Sequence, residues 1–355
     1  MFSTQFGPIR KFVFFGFLTG ILIFLAVFLN REKTESDASR PCRVITITQI
    51  APHPSLDEIR RGIMDELTPE KLSEQHIKPV DILFENAQGN LATATQIATK
   101  FVSLNPAVMI PITTPSAQSL YNVAKGRDLP IVFAAVSDPE TAKLLPTKES
   151  PYITGVSDLA PVKAQAQLII DILPDAPLKT IGIIFNPGEA NSVRLVELMT
   201  QALGVHHLKV IHATASNTTE VAAAVQSLVG RVSAIYLPND NTVISALETV
   251  LKTAKTHKLP VFSSDPESVN RGCLACLAPD QYAVGRQVGQ IVIKLLKGQP
   301  IKNLPVEMAN KNVLVLNLKV AQDLGIFITP DLIEKADYLI QPLSQSETPT
   351  LKPQP

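Results

Sequence analysis

Charge is scarce in this sequence and evenly divided. Only 18% of its 355 residues are Asp, Glu, Lys or Arg, and 32 basic side chains face 32 acidic ones. A chain without net charge has no global field to hold a polyanion, so a general nucleic-acid binder is excluded. With 45% hydrophobic residues it is not a disordered polar chain either. Tryptophan is absent, and the cysteines are Cys42, Cys273 and Cys276 alone. Cys273 and Cys276 have redox spacing, but Gly272–Leu277 reads as a small apolar strand rather than a helix start. Buried thiols or one structural disulfide fit that context, and too few ligands lie nearby for a metal site. No G-x-G-x-x-G follows a strand, and there is no G-x-x-x-x-G-K-[ST] and no G-x-S-x-G elbow. His206 and His207 lack a partnering nucleophile or carboxylate pattern. These absences argue against an enzyme, and no cofactor or metal is expected.

The few aromatics are unevenly placed. Eight of the 14 Phe lie in the first 28 residues. Phe12 to Leu29 is an uncharged run of 18 residues, about 27 Å as a helix and close to a bilayer's hydrocarbon thickness. Arg10 and Lys11 precede it, which places the short N-terminus in the cytoplasm and the body outside. The run ends Val27-Phe28-Leu29-Asn30 with no small-x-small exit, so an uncleaved anchor is favoured over a cleaved signal peptide. Ser39-Arg40-Pro41 before Cys42 is the wrong context for a lipidated cysteine. Residues 31–42 read as a polar tether and 343–355 as a Pro-rich disordered tail. Without residues 1–42 the body keeps 27 basic and 29 acidic side chains, with six Phe and five Tyr.

In the body, short β-branched runs alternate with helical patterns. Strands are expected at Val44–Gln49, Asp81–Glu85, Ala107–Ile112, Ile131–Ala135, Thr180–Phe185, Lys209–Ala213, Ala234–Leu237 and Val261–Phe262. Such alternation predicts an α/β fold with parallel sheets covered on both faces. The chain also repeats itself. Leu129-Pro-Ile-Val-Phe133 leads to Ser137-Asp-Pro-Glu140, and about 130 residues later Leu259-Pro-Val-Phe262 leads to Ser264-Asp-Pro-Glu267. Two similar doubly wound lobes, joined near residues 155–161, are the expectation.

In open parallel sheets, ligands bind beyond the carboxyl ends of the strands. That rule selects loops carrying Gln49 and His53, Thr114 and Ser116, and Asp138 in the first lobe. In the second lobe it selects Glu189, Asn191 and Ser192, then Asn239, Asp240 and Asn241, then Asp265. All are rich in hydroxyls, amides and single carboxylates, without Lys or Arg, which suits a small polar or zwitterionic molecule such as an amino acid. A ligand carboxylate would sit on a helix N-terminus near Thr114 and Ser116, and an ammonium group on Asp240 or Asp265. Each residue also has a plain structural role open to it. Thr114 and Ser116 are good N-caps, Asp138 and Asp265 precede Pro and form turns, and His53 stands between prolines.

These residues occur in stretches that resemble a known family. Among them are Ile47-Thr-Gln-Ile50 with His53-Pro-Ser-Leu-Asp57, Asn86-Ala-Gln-Gly-Asn90, Thr114-Pro-Ser-Ala-Gln118 and Ile131 to Pro139. Thr154-Gly-Val-Ser-Asp158, Gly188 to Ser192 and Ala234 to Asn241 continue the pattern. The chain resembles ABC-transporter substrate-binding proteins of the type I periplasmic-binding fold, in the branch associated with tryptophan, tyrosine and phenylalanine uptake. The resemblance covers about residues 43–340. It implies two lobes with a multi-strand hinge that close over a ligand, and the cleft loops as ligand contacts. Lobe 1 is expected at 43–156 plus about 303–340, with Val306-Glu-Met308 and Val313–Asn317 as returning segments, and lobe 2 at 157–302. It implies a monomeric extracytoplasmic protein, tethered or released after signal cleavage, that serves an ABC permease. The alternative is a membrane-tethered sensor that acts through a partner protein. The leader and the paired cysteines depart from the family's usual pattern.

Overall fold

A computed structural model describes residues 43–148, 150–174 and 180–341 of the protein. The apolar leader, the tether, Cys42 and the tail lie outside them. Among the described residues, no helix is long and apolar enough to cross a membrane.

The first sheet holds β1 (Arg43–Gln49), β2 (Val80–Asn86), β3 (Val108–Ile112), β4 (Ile131–Ala134), β5 (Ile153–Ser157) and β11 (Glu307–Met308), in the order β11-β5-β4-β3-β1-β2. The second holds β6 (Thr180–Phe185), β7 (Lys209–Thr214), β8 (Ala234–Leu237), β9 (Val261–Ser263), β10 (Ala275–Pro279), β12 (Asn312–Asn317) and β13 (Tyr338–Ile340), in the order β13-β12-β10-β9-β8-β6-β7. Strands β1 to β5 and β6 to β10 therefore follow the same winding. The repeated Leu-Pro-(Ile)-Val-Phe segments are β4 and β9, in equivalent positions. β3 pairs in parallel with β1 and β4, and β8 with β6 and β9. β3, β4 and β8 are buried along their whole length, as continuously apolar strands between two helix layers should be.

Helices α1 (Pro54–Glu66), α2 (Pro69–Glu74), α3 (Leu91–Ser103) and α4 (Thr114–Ala124) follow the strands of lobe 1. Helices α5 (Val162–Ile172), α6 (Ala190–Val205), α7 (Val221–Leu228), α8 (Asn241–Ser245), α9 (Leu247–Thr256) and α10 (Glu267–Arg271) follow those of lobe 2. The chain then crosses back into α11 (Gln281–Leu296) and β11, and returns once more through β12, α12 (Leu318–Leu324) and α13 (Pro330–Lys335) to β13.

This path corrects the expected boundaries twice. Residues 281–302 were expected in lobe 2, but Val284, Val288, Ile291, Val292 and Leu296 join the core of lobe 1. Residues 312–340 were expected in lobe 1, but β12 pairs antiparallel with β10 and belongs to the second sheet. The physical reason for the first correction is a backbone-to-backbone contact. A Cβ on Gly285 would come 2.1 Å from the Ile59 carbonyl oxygen, and one on Gly62 would come 2.3 Å from that of Tyr282. Only glycines let α1 and α11 approach so closely. The second follows from strand pairing, because β10 presents an edge that an apolar strand can complete.

Three crossings thus join the lobes: after β5, between β10 and α11, and between β11 and β12. They are braced against one another. The Ala309 N–H donates to the Ser157 carbonyl at 2.8 Å and the Asp280 N–H to that of Lys311 at 2.9 Å. Lys311 Nζ also meets Asp280 Oδ2 at 2.8 Å. Cys273 and Cys276 are free, fully buried thiols, and burial raises both pKa values.

Candidate functional site

The strand ends of both sheets line a cavity of about 50 Å³. Lobe 1 contributes Ala51, His53, Ser55, Leu56, Thr113, Thr114, Ala135 and Ser137. Lobe 2 contributes Asn191, Asn239, Asp240, Asn241, Ile244, Ser245 and Asp265, and the crossings contribute Asp158 and Gln281.

The lobe 1 wall is a hydrogen-bond donor surface. Helix α4 begins after Thr113 with no side-chain cap, so its first N–H groups keep no side-chain acceptor. The hydroxyls of Thr113 and Thr114, and that of Ser116 outside the lining, are buried without a hydrogen-bond partner among the described residues. Thr113 has φ 78° and Ala135 φ 53°, so two residues of this wall sit in backbone regions unfavourable to side chains. His53 adds a donor. Its Nδ1 accepts the Ser55 N–H at 3.2 Å, which places the ring proton on Nε2, and Nε2 has no hydrogen-bond partner. Asp265 Oδ2 lies 3.6 Å from that nitrogen.

The crossings and lobe 2 contribute acceptors. Asp158 follows β5 at the first crossing and takes Ser137 Oγ from lobe 1 at 3.0 Å and Asn239 Nδ2 from lobe 2 at 3.2 Å. Burial pushes its carboxyl up to about 6, against the lowering effect of those donors and of Gln281. Gln281 Oε1 and Asn191 Oδ1 are buried without partners, the Asn191 amide nitrogen being engaged by the Asn239 carbonyl at 2.6 Å.

The remaining expected site residues divide between lining and support. Asp240 lines the cavity, but its oxygens are occupied. Oδ2 accepts the Asn186 N–H and Ser192 Oγ, each at 2.6 Å, and Oδ1 caps α8 through the Val243 N–H at 2.8 Å. Burial first, and then the charge of Glu189, raise Asp240 to about 7. Glu189 itself lies outside the lining and holds the first turn of α8, taking both N–H and side chain of Asn241 and of Thr242 at 2.6–3.0 Å. Ser192 is a fully buried support for Asp240. Gln49 is buried behind the cavity and donates to the Ala51 carbonyl at 2.8 Å. Asp138 is outside the lining. It forms the expected turn with Thr141 and also receives Arg194 Nε at 2.9 Å. Burial pushes its carboxyl up, but the Thr141 donors and Arg194 outweigh it and leave it below the ordinary value.

Asp158 and Gln281 were not expected here, whereas Thr113 and Ser137 belong to the loops that the strand-end rule selects. Asp158 was legible only as part of the connector, and Gln281 required knowing that α11 starts at a crossing. The aromatics that end strands nearby do not reach the cavity. Tyr236, Phe133 and Phe262 are core residues, with Tyr236 Oη bound to Gln165 Oε1 at 2.8 Å and to Ser264 Oγ at 2.6 Å. The apolar lining is aliphatic, formed by Ala51, Leu56, Ala135 and Ile244.

A two-lobed α/β body with an interlobe cavity of this kind has recognisable relatives. The family described as ABC transporter substrate binding protein matches residues 44–340, almost the whole described body. The chain belongs to that family. A protein from Clostridioides difficile named as a tyrosine-binding protein is 32% identical over 290 residues, covering 81% of this chain and 82% of the relative. An ABC domain from Streptococcus pneumoniae solved in complex with L-Trp superposes with a TM-score of 0.79 at 32% identity, covering 84% of this chain and 100% of that one. A ligand-free, open substrate-binding protein with adhesive properties from Clostridium difficile superposes at 0.62, also at 32% identity, covering 83% and 98%. The chain therefore superposes more closely on the L-Trp complex than on the ligand-free, open structure.

Proposed function

We propose that this protein is the extracytoplasmic solute-binding component of an ABC importer, and that its ligand is an α-amino acid held between the lobes. The observation that carries this reading is the polarity of one cavity. Unpartnered donors gather at the α4 N-terminus, and a carboxylate with unpartnered amide acceptors stands at the crossing. A ligand carboxylate fits the first, where backbone N–H groups and the helix dipole favour an anion. An ammonium group fits Asp158, Gln281 Oε1 and Asn191 Oδ1. The ligand's side chain would then pack on Ala51, Leu56, Ala135 and Ile244, flat aliphatic surfaces that accept an aromatic ring without stacking it. The names of the tyrosine-binding relative and the L-Trp complex support an aromatic amino acid. A membrane permease would receive the ligand from the closed protein.

A melting assay against the amino acids and their deaminated analogues tests this. At about a hundredfold over Kd the true ligand adds about 2.7 kcal/mol of stability, a shift of several degrees. The matching acid without its amino group should give almost none. If no amino acid raises the melting temperature, the assignment is wrong.

A further inference from the structure

The duplicated Ser-Asp-Pro-Glu segments do more than form turns. In each, the aspartate accepts both the N–H and the hydroxyl of the residue three places on. Asp138 takes Thr141 N and Oγ1, each at 3.0 Å, and Asp265 takes Ser268 N at 2.9 Å together with Ser268 Oγ. Each carboxylate then reaches into the other lobe. Asp138, after β4 of lobe 1, receives Arg194 Nε at 2.9 Å from α6, the first helix after β6 of lobe 2. Asp265, after β9 of lobe 2, receives Ser55 Oγ from α1, the first helix after β1 of lobe 1, with His53 Nε2 at 3.6 Å. The two contacts are thus reciprocal under the same internal duplication that relates the sheets. Both are substantially buried, with side-chain exposures of 16% for Asp138 and 7% for Asp265.

We infer that Asp138–Arg194 and Asp265–Ser55 are paired interlobe latches, positioning residues that set how often the empty protein is closed. Neither turn needs the cross-lobe partner, because the residue three places on already satisfies the loop. What the partner adds exists only when the lobes meet. The structure that carries these contacts superposes more closely on the L-Trp complex than on the open structure. A latch of this kind changes the fraction of molecules competent to hold ligand, so it scales every affinity by one factor and leaves the order of ligands unchanged. This inference rests on the cavity being a ligand site, and its first readout needs no ligand.

The test uses the full chain with Arg194→Ala, Arg194→Lys, Ser55→Ala and Asp265→Asn, each checked for an unchanged circular-dichroism spectrum. Small-angle scattering of the unliganded protein should show a larger radius of gyration for Arg194→Ala and Ser55→Ala, and for Arg194→Lys a value near that of the unaltered protein. Amino-acid affinities should fall by a common factor of about 3–10 in the first two, and the double variant should lose about the product. Unchanged scattering and unchanged affinity in both would overturn the latch. So would an Asp265→Asn protein that reorders ligand preference without expanding, since Asp265 would then be a ligand contact. If the variants expand but the unaltered protein binds no amino acid, the latch stands and the ligand assignment falls.

Discussion

The helix that follows β3 in lobe 1 and the helix that follows β8 in lobe 2 occupy equivalent positions in a duplicated fold, yet their N-termini are treated in opposite ways. At α4 no side chain caps the first turn, and the hydroxyls beside it are unpartnered. At α8 two carboxylates fill the same role, Asp240 on the Val243 N–H and Glu189 on those of Asn241 and Thr242. One dipole end is left open and the other is neutralised from within. The duplicated fold places two helix ends equivalently, and only the α8 end is supplied with carboxylates of its own. On the proposed reading, that difference gives the cavity a direction, with the ligand's anion at lobe 1 and its cation at the crossing.

The strongest way to break the comparison is to remove the cationic end. Asp158→Asn leaves the hydrogen bonds to Ser137 and Asn239 largely replaceable but removes the charge. Amino-acid affinity measured by calorimetry should fall at least about 30-fold, the lower end of the 2–5 kcal/mol expected for breaking a buried charge pair. An unchanged Kd would move the ammonium elsewhere. A titration gives a smaller effect on the same group. Protonated Asp158 cannot pair with an ammonium, so affinity should be level above pH 6 and fall as pH drops through about 6, by up to about tenfold per pH unit. For folding the sign is reversed. The raised pKa means this group's contribution to stability is fully present below its unfolded value, and is lost as pH rises through about 6. A pH-independent Kd between 5 and 7 would contradict the assignment.

Two weaker substitutions sharpen the contrast between the helix ends. Glu189→Gln should destabilise the protein in urea by about 1–2 kcal/mol, through loss of charged capping at α8. It should also bring Asp240 down from about 7, because Glu189 is the second cause of that elevation after burial. Thr113→Gly should act the other way, raising stability by about 1 kcal/mol by relieving the φ of 78° in a β-branched residue. A loss of stability there would mean that Thr113 is not strained.

Much of the fold was readable in the chain. The alternation placed β1 to β4 and β6 to β9 within a residue or two but missed β5, read as part of the connector, and the two Leu-Pro-(Ile)-Val-Phe segments pointed to the repeated winding. The return path was not readable, because an apolar strand such as Val313–Asn317 completes either sheet equally well. Gly62, Gly285 and Gly289 were the available signal for α11, since spaced glycines on a helix permit close packing, but the partner helix is 220 residues away. At the site, the loop rule found His53, Thr114, Asn191 and the Asn239–Asn241 turn. It also proposed Asp240 and Asp265 as ammonium partners, before it was visible that capping and the cross-lobe contact already engage them. Asp158 escaped notice because it sits in a connector, and its partners Ser137, Asn239 and Gln281 come from distant parts of the chain.

The interleaved path also bears on how the molecule is made. During synthesis the first lobe emerges early, with β1 to β5 complete by residue 157, yet it lacks the helix that seals one face of its core. Ile59 and Ile63 must wait for Val284 and Val288, so lobe 1 cannot finish before most of lobe 2 has been made. Lobe 2 in turn waits for β12 and β13. The nascent chain therefore holds both cores unfinished until nearly its last described residues appear.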